Sequence, residues 1–490
     1  MMKKIITIAI LCVSFFAFSA NKLESNKMKK FLEVSKKNPH YFVDSTGKTF
    51  IPIGTNLCFY RPGLYSDDPK NEETYQAYRH WLDKIAENGG NYARLWVSSK
   101  FFNVMPNKLW EFSPENLEHL KTIVKYAEER NIKLKITLEQ FRTPQKTSSA
   151  SFSDTIYLPL AKDMKEWCES EECRKVYLAK AKYIADAVGD SPSIIIVELW
   201  NEINAMGLIH EYVGEWSDYM LVELQKIFPR QLIVQNLGSY DRADSYGDYY
   251  YLCNLPDNAY YQVHRYLDPG APAQICQAPM DILCAESIRE LKNFNHDKPI
   301  ILAETGAVKA NHSGASILYE LDTEGALLHD ILFAPFFAGS AAPGQSWYWD
   351  AHIDRWNLWW HLKRFAKAIE GIDPVKEQFK PGFMETKDCR IYVLHGKTHD
   401  LYWFRDKFNT WENEFIKCQA PQEIQEFNFA FWADGEVEAY LPWEDCYIKP
   451  EIPEKFFCKI PKFRRSLVLR VKHNGKSRYL QHLPSLNRYE

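Results

Sequence analysis

Two glutamates end short apolar runs that the sequence predicts to be buried parallel strands. Glu202 closes the run 193–202, and Glu304 closes the run 298–304. Side chains just past the carboxyl ends of parallel strands form the catalytic face of a βα barrel. One such glutamate is explained equally well as a surface residue at the start of a helix. Two of them together predict paired acid/base chemistry in a cleft.

The elements that must hold these glutamates follow a repeating order of strand, then helix. The predicted strands are residues 50–56, 91–97, 132–138, 194–200, 232–236, 260–264, 299–303 and 345–349, and apolar residues with helical spacing mark helices such as 73–88, 114–130, 172–188 and 216–228. This order implies a parallel sheet, and eight units close into a (β/α)8 barrel. The strand runs are apolar on both faces, as buried parallel strands are.

The pattern changes after residue 374. Short alternating segments separated by turn residues predict an antiparallel β-sandwich in residues 375–490. Residues 21–374 then form an α/β barrel domain, with an N-terminal hairpin that turns at Thr46 and Gly47 beneath the barrel. The sandwich is expected to be an accessory domain packed against the barrel. Its tryptophans are either core residues or carbohydrate contacts, namely Trp403, Trp411, Trp432 and Trp443.

Residues 1–20 have the features of an export signal. Lys3 and Lys4 precede an apolar run over residues 5–18, and small residues follow near Ala20. We therefore expect a secreted, periplasmic or cell-surface product. A lipid anchor at Cys12 is the alternative, although Leu11 stands where a small residue would be required. No later segment has about 20 uninterrupted apolar residues, so we expect no integral membrane span.

Charge, cysteines and motifs exclude several other classes of function. A net charge of -4 gives no basic surface for nucleic acid. The ten cysteines beyond Cys12 form no CxxC motif, and no HExxH motif occurs, so we expect disulfides or free buried thiols and no metal site. The nearest candidate pairs and an even C-terminal set are Cys168 with Cys173, Cys276 with Cys284, and Cys389, Cys418, Cys446 and Cys458. No nucleotide-binding glycine motif occurs, and no cofactor is expected.

The two strand ends resemble those of a known group of enzymes. Leu199-Trp200-Asn201-Glu202 and Leu302-Ala303-Glu304-Thr305-Gly306 resemble the acid/base and nucleophile strands of clan A glycoside hydrolases, which include the family 5 cellulases and mannanases. The resemblance extends over residues 50–349. It implies retaining hydrolysis, with Glu202 as the acid/base and Glu304 as the nucleophile. Two positions depart from family 5: Ile203 replaces its usual proline, and the third strand ends without its common histidine.

The resemblance also places five supporting residues. They are Arg94, Asn201, His264, Tyr266 and Trp347. Arg94 would hold Glu304 ionised, because a nearby cation lowers the pKa of a carboxyl group. Asn201 would bond the 2-hydroxyl of the sugar, and Trp347 would lie under the sugar ring. Tyr266 would bond the nucleophile and His264 would orient a carboxylate or hydroxyl, although both are explained equally well as core residues.

Two further glutamates, Glu139 and Glu198, stand on strands next to the predicted site. Glu139 ends the third strand, where it either binds substrate hydroxyls or caps the following loop. Glu198 shares side-chain parity with Trp200 and is therefore expected in the polar interior of the barrel, without a catalytic role.

The sequence thus predicts a secreted retaining glycosidase whose partner is a β-linked oligo- or polysaccharide of the β-mannan or β-glucan type. Two carboxyl groups suffice for this reaction without a cofactor. The alternatives are a non-catalytic polysaccharide-binding barrel and a transglycosylase on the same scaffold.

Overall fold

The structure, a computed structural model, describes residues 29–60, 71–140, 156–157, 159–206, 210–294, 297–431, 435–454 and 457–473. The predicted export signal, Cys12 and Trp432 lie outside these residues.

Seven parallel strands form most of the barrel wall. They are β4 (Gly54–Asn56), β5 (Tyr92–Trp96), β6 (Lys133–Gln140), β7 (Ile194–Asn201), β8 (Leu232–Val234), β9 (Tyr261–Leu267) and β10 (Ile300–Ala307). Strands β4 to β8 pair in sequence order, and β9 pairs with β10. Between the two groups, the Tyr240 N–H donates to the His264 carbonyl at 2.7 Å and the Ala259 N–H to the Ile233 carbonyl at 3.1 Å. The predicted (β/α)8 barrel is confirmed.

The eighth position of the barrel differs from the prediction. Residues 345–349 form no strand; Ser346 makes a single parallel bridge to Thr305. The Ser346 carbonyl accepts from the Asn56 N–H at 3.3 Å, so this one residue closes the circle between β10 and β4. The chain then enters a π-helical turn, Trp349–Asp354, in which the Tyr348 carbonyl accepts from the Ile353 N–H five residues further on, at 3.4 Å.

A three-stranded antiparallel sheet precedes the barrel. It consists of β1 (Leu32–Val34), β2 (Phe42–Asp44) and β3 (Thr49–Phe50). The first predicted strand, 50–56, is divided between β3 and β4 around Pro52, which has no N–H to donate. The ring of Phe42 meets Tyr260 edge-on at 5.4 Å. Since Tyr260 immediately precedes β9, the hairpin lies at the amino-terminal end of the barrel strands, as predicted.

Helices surround the barrel and follow it. They are α1 (Asn71–Glu87), α2 (Pro114–Glu129), α3 (Met164–Glu169), α4 (Glu171–Val188), α5 (His210–Ile227), α6 (Ser245–Cys253), α7 (Met280–Lys292), α8 (Leu318–Leu321), α9 (Ala326–Phe337), α10 (Trp360–Ala368) and α11 (Pro374–Glu377). The sequence determines the amino-terminal end of helix α2. The Ser113 side chain caps the helix by accepting from the Asn116 N–H, and Pro114 occupies the first turn, where no N–H is needed. In the part of the chain described, no helix combines the length and apolarity needed to cross a membrane.

The C-terminal part forms two packed antiparallel layers. The first is a six-stranded sheet in the order β11 (Lys380–Glu385), β12 (Cys389–His395), β13 (His399–Asp406), β21 (Ser466–Lys472), β16 (Val437–Leu441) and β17 (Cys446–Ile448). The second comprises β15 (Phe427–Ala430), β18 (Glu451–Glu454) and β19 (Phe457–Ile460), together with the pair β14 (Glu423–Ile424) and β20 (Phe463–Arg464). Apolar side chains from both layers, such as Phe404, Phe429 and Leu469, form one core, which makes this part a β-sandwich.

The outer face of the six-stranded sheet packs on the barrel. Trp403 lies 5.7 Å from Phe333 and 5.9 Å from Phe337, both on α9. Helix α9 is buried along its whole length. Two ion pairs cross the same interface: Arg405 binds Asp330 at 2.6 and 3.0 Å, and Arg390 binds Asp281 at 2.6 and 2.9 Å.

The tryptophans of the sandwich serve packing. Besides Trp403, the Trp411 Nε1–H donates to the Ala278 carbonyl at 3.1 Å, and Trp443 lies under Arg465 and beside His329. The core interpretation therefore holds for Trp403, whereas Trp411 and Trp443 are half-buried where the sandwich meets the barrel domain.

The cysteines form no disulfide within the described residues. All ten are free thiols; eight are buried, Cys446 is intermediate and Cys418 is exposed. The free-thiol alternative is therefore correct, and the disulfide alternative is wrong.

Candidate active site

A cleft of about 670 Å³ opens at the carboxyl ends of the barrel strands. Five predicted site residues line it, namely Asn201, Glu202, Tyr266, Glu304 and Trp347. Two others, Arg94 and His264, are fully buried and contact these residues through hydrogen bonds. The strand ends thus bring seven of the eight predicted residues together.

The two carboxyl groups are close neighbours. An oxygen of Glu202, an oxygen of Glu304 and a ring nitrogen of His264 all lie within 4.8 Å of one another. This spacing is near the ~5–5.5 Å of retaining glycosidases and below the ~6.5–9.5 Å that inverting enzymes need to admit a water. The geometry therefore fits direct attack on a sugar by one carboxylate.

Glu202 sits at a strained turn that ends β7. Its φ of +52° is left-handed, a conformation that costs an L-residue about 1–2 kcal/mol. Two hydrogen bonds hold the turn: the Glu202 N–H donates to Asn236 Oδ1 at 2.7 Å, and the Glu202 carbonyl accepts from the Ala205 N–H at 2.8 Å.

Glu304 receives two strong donors. Arg94 forms an ion pair with one carboxylate oxygen, and the Tyr266 hydroxyl donates to the other at 2.7 Å. Arg94 also donates to Glu198 at 2.5 Å and to Asn201 Oδ1 at 2.6 Å. Glu304 therefore has the surroundings of a carboxylate that is held ionised.

The surroundings separate the protonation states of the pair. Burial raises the pKa of Glu202 well above its usual value, and the charge of Glu304 raises it further. Burial also raises the pKa of Glu304, but Arg94 and the Tyr266 hydroxyl oppose this rise. The first proton to leave the pair therefore leaves Glu304, while Glu202 keeps its own.

Glu198 lies beneath the pair in the polar interior of the barrel, as predicted. Its carboxylate accepts from Lys135 at 2.5 Å, Asn236 at 2.7 Å and Gln262 at 2.9 Å. Burial by itself would raise the pKa of Glu198, but Arg94 and Lys135 outweigh burial and lower it to about 2. Glu198 is thus a permanent anion that anchors Arg94 from below.

His264 contacts Glu202, and its tautomer follows from its neighbours. Asn236 Oδ1 accepts from the Glu202 N–H, so the Asn236 amide nitrogen is the atom that faces Glu198 and, at 3.3 Å, His264 Nε2. An amide nitrogen is a donor, so His264 Nε2 accepts and Nδ1 carries the proton. That proton points at Glu202 Oε1, 2.6 Å away. Burial lowers the pKa of His264 well below its usual value, so the ring is neutral.

Asn201 and Trp347 offer contacts to a ligand. The Asn201 carbonyl oxygen is taken by Arg94, whereas its buried amide nitrogen has no partner among the described residues. The half-buried Trp347 ring is fixed by Trp96 at 5.0 Å and Phe59 at 5.8 Å. A free donor and a rigid aromatic face thus border the carboxyl pair.

One expectation about a side chain near the cleft is corrected. Glu139 is fully buried and forms an ion pair with Lys180 of α4, so it lies in the layer between barrel and helices and does not line the cleft. Trp200, on the same strand end as Asn201, also lies outside the cleft and packs on Trp167 at 5.0 Å and Trp216 at 6.2 Å.

Three residues of the site escaped the sequence analysis. Asn236 lies two residues after β8 and ends the predicted strand 232–236, so its place at a predicted strand end was an available signal. Asp241 and His312 also line the cleft but stand in loops where no periodic pattern marks them.

Comparison with known proteins identifies the group to which the chain is related. The sequence pattern of the cellulase family, glycosyl hydrolase family 5, matches residues 43–326. The chain belongs to glycosyl hydrolase family 5. The enzyme is accordingly a retaining O-glycosyl hydrolase of clan A that acts on β-glycans, and the recognition made from its two strand ends is confirmed.

Solved structures similar to this family 5 enzyme include three proteins of low sequence identity. They are the endo-β-1,4-mannanase of Thermotoga petrophila (14% identity, 88% of this chain and 99% of that chain, TM-score 0.48), the exo-β-1,4-mannosidase of Opitutaceae bacterium strain TAV5 (19%, 67% and 60%, 0.48) and the β-1,4-D-mannanase of Cryptopygus antarcticus (18%, 68% and 94%, 0.47). No curated protein sequence matches the chain.

Proposed function

We propose that this family 5 enzyme is secreted and cleaves β-linked glycans of the mannan or glucan type by double displacement, with Glu304 as nucleophile and Glu202 as acid/base. The observation that carries the proposal is the carboxyl pair, whose oxygens lie within 4.8 Å of each other in unlike surroundings. Glu304 has an arginine and a phenol as donors, whereas Glu202 has a neutral imidazole.

In the first half-reaction, a Glu304 oxygen attacks the anomeric carbon and the glycosidic C–O bond breaks. The Glu202 proton passes to the departing oxygen, so the leaving sugar gains a hydroxyl and Glu202 becomes a carboxylate. The ester bond to Glu304 removes the negative charge that raised the pKa of Glu202, which stabilises Glu202 in its ionised state.

In the second half-reaction, Glu202 takes a proton from a water whose oxygen attacks the anomeric carbon from the opposite side. The bond to Glu304 breaks, and the Glu304 carboxylate returns to Arg94 and Tyr266. Two inversions give net retention. The Asn201 amide donates to the 2-hydroxyl, a contact that strengthens as positive charge develops on the ring, and Trp347 lies against an apolar sugar face.

The roles of the two glutamates are tested by chemical rescue. Glu304→Gly is expected to abolish turnover of an activated aryl β-glycoside, and added azide should restore it by forming a glycosyl azide of inverted configuration. Glu202→Ala should form the glycosyl-enzyme from the same substrate but release it slowly, and azide should then give a product of retained configuration. Product stereochemistry by NMR distinguishes the two. The reverse assignment of the two configurations would overturn the roles.

The substrate class is tested with a panel of polysaccharides. Release of reducing sugar from β-mannan or β-glucan, with xylan and galactan as comparisons, is the expected result. Binding without release would favour the non-catalytic barrel instead. Formation of longer products in the presence of an added sugar, with little hydrolysis, would favour a transglycosylase.

Secretion is supported by the two lysines and the apolar run of residues 5–18 at the amino terminus. Mass spectrometry of protein from an exporting host should find a mature chain that begins close to residue 20. An intact amino terminus in the cytoplasmic fraction would refute secretion without affecting the catalytic proposal.

A further inference from the structure

A short strained loop lies beside the cleft, directly after β10. Asn311 and His312 are consecutive residues with left-handed backbones, each with a φ of +57°. Such a conformation costs an ordinary L-residue about 1–2 kcal/mol and asparagine less, and two consecutive residues keep it only where the surroundings hold them. Strain of this kind is concentrated at functional sites.

The carboxylate of Asp268 holds this loop. Asp268 is 2% exposed and accepts three backbone N–H groups: Gly270 at 2.8 Å, Asn311 at 3.0 Å and His312 at 3.1 Å. Gly270 permits the close approach, because a Cβ there would lie 2.5 Å from the Asn311 nitrogen. The loop is therefore a built feature with a defined geometry.

These hydrogen bonds to Asp268, here called the Asp268 clamp, fix the ring of His312 in the cleft. The ring meets Tyr266 edge-on at 4.5 Å, and its Nδ1 faces Asp268 Oδ2 at 3.4 Å. Burial lowers the pKa of His312, so the imidazole is neutral at pH 7. With Nδ1–H directed at a carboxylate, Nε2 carries a lone pair and is an acceptor. The side chain remains 38% exposed, which leaves the ring accessible to a ligand in the cleft.

His312 and Asp241 line the same cleft as Glu202. Asp241 belongs to the loop after β8, in which a Cβ on Gly238 would lie 3.6 Å from the Glu202 side chain. The segment after β9, which holds the His312 backbone, also contacts this loop, because the Ala273 N–H donates to the Asp241 carbonyl at 2.9 Å. The sugar that leaves when Glu202 protonates the glycosidic oxygen must lie on the Glu202 side of the carboxyl pair, beside these loops.

We propose that His312 binds the departing sugar, with its Nε2 accepting a hydrogen bond from one of that sugar's hydroxyls. The inference rests on the proposed function, since it specifies how the same cleft selects a glycosyl leaving group. Asp268 is the positioning residue, because it acts through the loop that carries His312.

The test compares a substrate that has a leaving sugar with one that has none. His312→Asn suits it because asparagine tolerates the left-handed backbone but does not reach the position of Nε2. On a β-1,4-linked tetrasaccharide that the wild type cleaves, kcat/KM should fall about three- to tenfold, because this is the fold-change that corresponds to the free energy of one lost hydrogen bond. On an aryl β-glycoside of the same sugar, kcat/KM should stay at the wild-type value. His312→Gln, whose amide reaches further, should retain part of the tetrasaccharide activity.

A second measurement uses capture of the glycosyl-enzyme by an added sugar, which enters from the same side. His312→Asn should lower the ratio of sugar-captured to water-captured product. Equal losses on both substrates, or an unchanged ratio of capture, would overturn the proposal. A wild-type enzyme that cleaves neither substrate would instead refute the proposed function, so the two failures are distinguishable.

The role of Asp268 is tested with a double-mutant cycle. Asp268→Asn should reproduce the selective loss on the tetrasaccharide, and adding it to His312→Asn should cause little further loss, because both changes act on one contact. Additive losses, or a loss on the aryl glycoside as well, would show that Asp268 is merely structural.

Discussion

At the scale of single residues, one cation organises the site. Arg94 lies between the carboxylates of Glu198 and Glu304 and also holds Asn201. Glu198 remains ionised whatever happens in the cleft, so Arg94 stays in place when Glu304 loses its charge to a sugar. A buried unpaired guanidinium would otherwise cost several kcal/mol at that stage.

The same contacts predict how activity depends on pH. Glu304 must be ionised and Glu202 protonated, so kcat/KM should rise through the lower pKa of the pair and fall through the upper. Tyr266→Phe removes a hydrogen bond that lowers the pKa of Glu304. The rising, acidic limb of the kcat/KM profile of Tyr266→Phe should therefore move to higher pH by on the order of one unit.

The pH profile should be measured on an aryl β-glycoside, with Tyr348→Phe as the control. Tyr348 also lines the cleft, and its hydroxyl loss should leave the acidic limb in place. A Tyr266→Phe profile that coincides with that of the wild type would contradict the role of this hydroxyl.

At the scale of elements, the strands and their ends were predictable from the sequence because local residue patterns encode them. Seven barrel strands and the end positions of Glu202 and Glu304 followed from apolar runs and β-then-α order, because buried parallel strands are apolar on both faces. The prediction of an eighth strand over residues 345–349 was wrong. Trp347 and Trp349 alternate as strand residues do, but the segment makes a single isolated bridge, between Ser346 and Thr305, and the long-range bonds that decide this leave no local signal.

The supporting contacts of the site were less predictable. The ion pair of Glu139 with Lys180 and the hydrogen bond from the His312 backbone N–H to Asp268 join residues that lie 41 and 44 positions apart in the sequence. No periodic pattern links such positions. A resemblance at strand ends located Arg94, His264 and Tyr266, whereas the residues behind them required the folded chain.

The close packing of β4 on β5 gives a prediction at this scale. A Cβ on Gly54 would lie 1.7 Å from the Tyr92 carbonyl oxygen, so Gly54→Ala must separate the strands that align Asn56 with Arg94. We expect a loss of about 3 kcal/mol or more in the free energy of unfolding, together with reduced activity.

Gly247→Ala is the matched control. This glycine lies in α6 with open space around it, so alanine should leave stability unchanged or raise it by about 0.5–1 kcal/mol. Both variants are compared by urea unfolding. Similar stability of the two would mean that β4 and β5 are less tightly packed than described.

At the scale of the whole molecule, barrel and sandwich form one unit. Helix α9 is buried on all sides because the six-stranded sheet covers the face that a barrel helix usually exposes to water. A barrel without the sheet would expose this face, so truncation before β11 should give insoluble protein.

The ion pairs in this interface predict an asymmetric response to mutation. Asp330→Ala leaves Arg405 buried without its carboxylate and should cost about 3–5 kcal/mol in the free energy of unfolding. Asp330→Leu combined with Arg405→Met should recover most of this loss, since an apolar pair of similar volume avoids the buried charge.

Urea unfolding measures both variants, and Asp186→Ala serves as a control. Asp186 pairs with Lys182 at 2.6 Å, but both side chains are 64% exposed, so its loss should change little. Equal effects of Asp186→Ala and Asp330→Ala would contradict the structural importance of the interface pair.

The ten free thiols of the described residues have a consequence for handling the enzyme in air. In the native enzyme, iodoacetamide should modify Cys418 first and Cys446 more slowly, because the other eight are buried and burial raises, for example, the pKa of Cys168 to about 12. Denaturation exposes all of these thiols at once, and oxygen in air can then oxidise them to non-native disulfides. Activity should consequently return after a heating cycle only with a reducing agent, and aerated samples should migrate as ladders on a non-reducing gel.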